Sequence, residues 1–178
     1  VFLSEMPEPD PGLIDEELGR KWDQIFRERD EVLKALEEAR NGTIIGHSLD
    51  AKVVFYPQNG SSGSSLSELF TKDQKNAEDV LIVSQGMFVD GRAPDYVDQL
   101  KVAIKAGQRG KHIFVDLPDG SKLCVYDSAL LNRYIEVARA KGSKCERCWK
   151  YSEDVGKDSR HPTVCARCSD VLRSGVSS

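Results

Sequence analysis

No stretch of the 178-residue sequence stays apolar long enough to cross a membrane. Runs such as Val80-Leu81-Ile82-Val83 stop at four residues, against the roughly 20 that a membrane helix needs. The opening Val1-Phe2-Leu3-Ser4-Glu5-Met6-Pro7 is not expected to act as a secretory signal, since it has neither a basic n-region nor an apolar h-region. There is no initiator methionine, and Val-Phe-Leu runs straight into an acidic, Pro-containing stretch, so the chain is expected to be a piece of a longer polypeptide. Surplus positive charge is lacking as well. Twenty-five Lys and Arg against 29 Asp and Glu leave a net charge of -4, which argues against a protein that coats nucleic acid by bulk electrostatics.

The charge that is present is unevenly spread. Acid is concentrated between Glu5 and Glu38, whereas Lys101, Lys105, Arg109 and Lys111 fall within a stretch that contains no carboxylate. A second basic stretch holds Arg133, Arg139, Lys141, Lys144, Arg147 and Lys150 against only Glu136 and Glu146. Either stretch is also consistent with a solvated face. A hydrophobic content of 39% is enough for a core, in one ordinary domain or two small ones.

Leu18, Trp22, Ile25, Val32, Leu36 and Ala39 recur at helical steps, widened by Phe26 and Leu33, and predict a long amphipathic helix that Asn41-Gly42 ends. Its other face carries Arg27, Glu28, Glu31, Lys34 and Glu38. No second helix of comparable length follows, so packing partners for the stripe are expected to lie outside the chain. From Ile44 to Tyr56 the pattern turns to alternation, with Leu49, Ala51, Val53 and Phe55 on one face of a strand. Pro57 to Ser65 is a Gly/Ser-rich loop. A short helix is expected over 66–77 and a buried strand over 79–84, with further strands over 100–106, 111–117, 122–126 and 134–139. Pro118-Asp-Gly-Ser121 marks a hairpin turn. The fold class is α+β: a long N-terminal amphipathic helix, a small mixed α/β middle domain and a C-terminal four-cysteine knuckle or ribbon, divided at 1–47, 48–140 and 141–178.

Five cysteines are present, and four form two Cys-x-x-Cys pairs, Cys145/Cys148 and Cys165/Cys168, sixteen residues apart. Such a pattern reads as metal rather than disulfide. Cys124, flanked by apolar residues, is expected to be a buried structural thiol, and the free thiols imply a reducing compartment. Two residues between cysteines let one tight turn present both thiolates to a single ion, and two such turns complete a tetrahedron. One structural zinc ion is therefore expected, because a segment this short has almost no core of its own. A redox dithiol would need one pair opening a helix after a strand, and a catalytic zinc would need an open coordination position, which four cysteines close. His161 is a possible alternative ligand, read here as a surface side chain. Trp149 either shields the cluster or offers a face to a nucleotide base, and shielding is favoured.

The tail Gly142-Ser-Lys-Cys-Glu-Arg-Cys-Trp149 through His161-Pro-Thr-Val-Cys-Ala-Arg-Cys168 resembles the C-terminal zinc finger of bacterial and organellar isoleucyl-tRNA synthetases, a finger type shared with formamidopyrimidine-type DNA glycosylases. Arg29 to Arg40, followed by Ile45-Gly-His-Ser-Leu-Asp-Ala-Lys-Val53, is similar to the helix-to-strand passage after the anticodon-binding bundle of those synthetases, and Val1-Phe-Leu-Ser4 fits as well. The resemblance implies part of a class I enzyme that uses ATP to join isoleucine to its tRNA. Neither the His-Ile-Gly-His nor the Lys-Met-Ser-Lys-Ser signature of that class occurs, so ATP would belong to a catalytic domain elsewhere, and this chain alone is expected to be inactive. Isoleucine tRNA and the rest of the synthetase are the implied partners, for a monomeric protein in the bacterial cytoplasm or an organelle interior. Cys145, Cys148, Cys165 and Cys168 carry over as zinc ligands. Lys144, Arg147, Trp149, Lys150 and Arg167 are candidates for RNA contact, since Lys and Arg meet phosphates and an aromatic face can hold an unstacked base. A glycosylase finger and a protein-interaction module are the competing readings.

Overall fold

The computed structural model describes residues 8, 10–58, 65–89, 93–98, 102 and 112–174. Asp15 begins the long helix by accepting the Leu18 amide at 2.9 Å, and Glu16 and Glu17 place negative charge in its first turn, where the helix dipole favours it. This helix, α1 (Glu16–Asn41), ends at Gly42 as the sequence predicts. After a turn in which His47 caps Ser48–Asp50, β1 spans Ala51–Pro57. Two short helices follow, α2 (Ser65–Lys72) and α3 (Gln74–Leu81), then β2 (Gln85–Phe88), β3 (His112–Asp116), β4 (Lys122–Ser128) and β5 (Arg133–Arg139). The strands form one sheet in the order β2-β1-β5-β4-β3, with β1 and β2 parallel and the other pairs antiparallel.

The sheet explains what covers the stripe of α1. Ile25, Val32, Ala35, Leu36 and Ala39 join Val53, Phe55, Leu66, Ile135 and Val137 in a single apolar cluster, so the helix lies across one face of the sheet with α2 at its side. The expectation that its partners lie outside the chain therefore fails for this half of the helix. It stands differently at the other end, where Leu18, Trp22 and Phe26 are 50%, 36% and 51% exposed. The opposite sheet face holds a smaller cluster of Val97, Val115, Leu123, Val125 and Tyr134.

Glu28 and Glu31, expected on the solvated face of α1, are buried at 6% and 7% exposure. Each has a partner that sequence periodicity cannot show. Glu28 accepts the Leu66 amide at 2.7 Å and so caps the start of α2, while Glu31 accepts the Ser128 hydroxyl at 2.9 Å. A buried carboxylate held this way avoids the cost of an unsatisfied polar group.

The strand expected over 79–84 is not one. Asp73 accepts the Asn76 amide at 3.1 Å and starts α3, which continues to Leu81 before Ile82 turns left-handed at φ 57°. The apolar run straddles a helix end: Leu81 and Val83 are buried, but Ile82 is 45% exposed. Likewise the single helix expected over 66–77 is split at Asp73. The strand expected over 100–106 lies, apart from Val102, outside the described residues, as do most of the Gly/Ser loop and the basic stretch 101–111. Cys124 is fully buried, and burial, with Glu38 nearby, pushes its thiol up to about 12. No helix among the described residues is long and apolar enough to cross a membrane.

Candidate metal centre

After β5 the chain forms a separate small unit. β6 (Ser143–Lys144) and β7 (Tyr151–Ser152) pair antiparallel, and the loop between them carries Cys145 and Cys148. The second pair lies at the start of α4 (Ala166–Ser174). Two residues show how tightly the chain must turn. Gly142 adopts φ +93°, and a Cβ there would lie 2.3 Å from the Ser152 carbonyl, so only glycine fits. Trp149, directly after Cys148, is left-handed at φ 65°, and its amide donates to the Cys145 carbonyl at 2.9 Å.

The four sulfurs converge. The ligand atoms of Cys145, Cys148, Cys165 and Cys168 all lie within 4.8 Å of one another, and none is in a disulfide. The Cys148 and Cys165 sulfurs are 3.8 Å apart. That is the edge of a sulfur tetrahedron, about 3.8 Å, built on Zn–S bonds of ~2.3 Å. Cys145 and Cys168 are buried at 0% and 2% exposure, and the apolar residues around them, Val155, Val164 and Leu172, all belong to this unit. The Cys165 amide donates to the Cys145 sulfur at 3.3 Å. Burial works to raise the Cys145 thiol, but amides of Cys148, Cys165 and Arg147 outweigh it and bring the group down to about 6. Burial dominates at Cys165, which is pushed up to about 12, and also raises Cys148. A cation among these sulfurs would relieve the cost of holding several thiolates together, and one Arg147 nitrogen already lies 3.8 Å from the Cys168 sulfur. Four thiol donors close a tetrahedral shell, which suits a structural ion and leaves no position for a reacting water.

The predicted contact residues divide. Lys144, Arg147 and Trp149 are exposed, with the Lys144 ammonium 5.6 Å from the centre of the Trp149 ring, within cation–π range. Shielding of the cluster by Trp149, the favoured expectation, does not fit a ring that is 59% exposed. Val155, Val164 and Leu172 provide the cover instead. His161 is half-buried and is not one of the converging side chains. Lys150, only 18% exposed, pairs with Asp79 at 2.5 Å, and Arg167 reaches the same carboxylate at 3.7 Å. Asp79, Ser84 and Gln85 were not singled out by sequence reasoning, yet all three touch this unit. The Tyr151 amide donates to the Ser84 hydroxyl at 2.7 Å. The Gln85 side chain donates to the Lys141 carbonyl at 2.9 Å and accepts the Lys141 amide at 3.2 Å.

Residues 142–171 match a protein-family model described as "Zinc finger found in FPG and IleRS". Together with the four clustered cysteines this supports one structural zinc ion. An isoleucine–tRNA ligase of Fervidobacterium nodosum is 38% identical over 173 residues, which is 97% of this chain and 15% of that protein. Those of Desulforamulus reducens and Geobacillus thermodenitrificans are 35% and 33% identical, over 97% and 99% of this chain. Along nearly its whole length, the chain is homologous to isoleucine–tRNA ligases. It spans about 15% of the length of the curated relatives it matches. The likeness to isoleucine–tRNA ligases runs through α1 and the sheet as well as the finger, so the helix-on-sheet body and the metal centre go together.

Proposed function

We propose that this chain is the tRNA-binding C-terminal part of an isoleucine–tRNA ligase, in which the zinc unit helps hold the tRNA for a catalytic domain elsewhere in the polypeptide. The observation that carries the reading is the near-complete match to isoleucine–tRNA ligases, joined to an exposed cation and aromatic ring, Lys144 and Trp149, beside the first cysteine pair. Cys145, Cys148, Cys165 and Cys168 are the zinc ligands in this reading. Arg147 adds a further exposed cation. Lys150 and Arg167, drawn to Asp79, have a weaker claim to RNA.

From Lys144 to Cys168 six Lys and Arg face four Asp and Glu. Four thiolates around one zinc ion add two negative charges, so the tail is near neutral and has little bulk attraction for a polyanion. A contact of this kind depends on individual cations meeting phosphates and on an aromatic face meeting an unstacked base. Holding the tRNA at one end so that its distant acceptor end reaches the active site contributes to rate through positioning alone. Isoleucine and ATP would be handled by the catalytic domain. The exposed Leu18, Trp22 and Phe26 of α1 suit contact with the rest of the synthetase, and residues 1–47 would form the end of its helical anticodon-binding region, 48–140 a junction domain and 141–178 the finger. A monomeric enzyme of the bacterial cytoplasm or an organelle follows from the same reading.

Titrating isoleucine tRNA, a non-cognate tRNA and duplex DNA against the zinc-loaded chain at two salt concentrations tests the proposal. The expected order is isoleucine tRNA bound most tightly, with affinity falling as salt rises. Tighter binding of DNA than of either tRNA would overturn it in favour of a glycosylase-type finger.

A further inference from the structure

Among the described residues, the zinc unit shares no apolar cluster with the body. The cluster around its sulfurs contains only its own residues, and the two body clusters contain none of them. A cleft of about 510 Å³ lies where the two meet, lined by Lys75 and Glu78 of α3 and by Arg167 and Val171 of α4. Apolar packing therefore does not set the orientation of the unit. Polar contacts do, and five of them come from three residues, Asp79, Ser84 and Gln85, at the corner where α3 gives way to β2. Gln85 holds the Lys141 backbone at the unit's entrance, Ser84 holds the Tyr151 amide on β7, and Asp79 holds Lys150 and Arg167.

We propose that Asp79 is the positioning residue of the zinc unit: its carboxylate bridges one cation from each cysteine pair and locks the unit against the α3–β2 corner, carrying Lys144, Arg147 and Trp149 in a fixed orientation relative to the sheet. The placement of Asp79 argues for this role on independent grounds. It sits in the last turn of α3, where a negative charge opposes the helix dipole, so the helix itself gains nothing from it. Its cations differ in sequence position but not in function. Lys150 lies two residues after Cys148, and Arg167 lies between Cys165 and Cys168, so one carboxylate ties down both halves of the metal centre. Lys150 is largely withdrawn from water, where an ion pair counts for more than at an exposed site. Ser84 extends the lock inward, since its hydroxyl donates to the Leu49 carbonyl at 2.5 Å while accepting the Tyr151 amide. The corner itself requires Ile82, a β-branched residue, to turn left-handed, a conformation that persists only where the surroundings impose it.

The positioning role deepens the tRNA reading and rests on it, whereas the lock does not, and the two are separable by experiment. In the zinc-loaded 178-residue chain, Asp79→Asn is expected to lower hydrogen-exchange protection of the Tyr151 and Lys141 amides by roughly threefold or more. The Cys165 amide, bonded within the metal centre, should keep its protection, and the chain should still hold one zinc. Asp79→Glu should restore protection, and Gln85→Ala, which changes no charge, should lower it again at Lys141. Unchanged protection in Asp79→Asn overturns the lock, whatever Gln85→Ala does at Lys141.

Affinity for isoleucine tRNA supplies a second readout whose sign is informative. Removing a carboxylate should by charge alone strengthen binding to a polyanion, so weaker binding by Asp79→Asn, rescued by Asp79→Glu, supports positioning. Unchanged or stronger binding by Asp79→Asn, with Trp149→Ala still weakening it, overturns positioning and leaves the tRNA reading intact. A parent chain with no preference for tRNA removes that reading and the positioning role with it, and the exchange data alone then decide the lock.

Discussion

The helix-on-sheet body and the cysteine tail solve the same problem with different material. Between α1 and β5 the chain buries large side chains, among them Phe55, Leu36, Leu66, Leu81 and Ile135, all at 0–1% exposure. Among the described residues of the tail the buried apolar set shrinks to Val164 and three cysteines, Cys145, Cys165 and Cys168. A segment of that size cannot offset its conformational entropy by burying carbon, so sulfur–metal bonds take the place of a core. The difference teaches where each region should fail. Metal removal should destroy the tail and spare the body, and cavities in the sheet should do the reverse.

The largest effect is expected from Cys145→Ser or from a strong chelator. Structural zinc in small fingers contributes on the order of 10–16 kcal/mol of apparent binding free energy, which exceeds the stability of most whole domains. Residues 142–174 should lose their fold and the single zinc, while α1 and the sheet keep their helical and strand signals. Zinc stoichiometry together with amide spectra checks this, and full zinc retention in Cys145→Ser would break the ligand assignment. Next comes Phe55→Ala. Its ring stacks on Phe88 at 4.2 Å between centroids and meets Phe70 at 5.9 Å, and truncating such a buried aromatic costs about 3–5 kcal/mol. Denaturant unfolding of the body should shift accordingly, with zinc content unchanged. Gly142→Ala should follow, at more than about 1 kcal/mol, because alanine suits neither the positive φ nor the 2.3 Å approach to Ser152. Its damage should appear at the β6–β7 pairing and not in the sheet.

How much of this could be read in advance also differs between the regions. The four cysteines announce themselves by spacing, because two knuckles closing on one ion need no knowledge of the rest of the chain. The long helix was equally legible from its stripe, and so was the strand face of Ala51, Val53 and Phe55, although Leu49, expected on the same face, falls in the turn Ser48–Asp50 before the strand begins. What stayed hidden depends on contacts between distant segments. Glu28 looks like a solvated residue until Leu66 is seen above it, and the run Val80 to Val83 looks like a strand because periodicity over four residues cannot separate a strand from a helix end. Asp79, Ser84 and Gln85 carry no motif at all, since their roles exist only once β2 lies beside β1 and brings the tail against that edge.

The two regions should also break at opposite ends of the pH scale. In the body, burial holds the Cys124 thiol up to about 12 against an ordinary value of 9, and burial with Glu136 nearby holds Tyr56 up to about 12 against 10. The unfolded chain gives up these protons first, so the folded state binds more of them at high pH. Stability of the body is therefore whole below about pH 9 and drains as pH rises towards 12. In the tail the thiols must lose their protons to hold zinc, so acid competes with the metal. Asp158 adds to this. The hydroxyl of Ser169 and the amide of Arg160 hold its carboxyl down to about 2, so its contribution is present above its unfolded value near 4 and is lost as pH falls through 2. Zinc release followed by a chromogenic chelator and circular dichroism over the same titration should show the tail yielding first in acid and the body first in alkali. A body that unfolds in step with zinc release would erase the distinction between the regions.

The smallest effect on stability belongs to the residue with the most to say about function. Trp149 is 59% exposed and outside the apolar cluster of the tail, and its left-handed backbone suits a small residue no worse than indole. Trp149→Ala should leave zinc content and unfolding within the range of ordinary surface changes, about 0.5 kcal/mol. If the ring receives an unstacked base, the same substitution should weaken isoleucine tRNA binding by about 1–3 kcal/mol, the range found for base–aromatic stacking, with little change in its salt dependence because no charge is removed. Trp149→Phe, which keeps an aromatic face, should recover part of the loss. Lys144→Gln should weaken binding too, but also flatten the salt dependence, as a phosphate contact does. Equal affinities for parent and Trp149→Ala would mean that the exposed ring and its lysine are only a solvated edge of the finger, and that the tail meets tRNA, if at all, through another face.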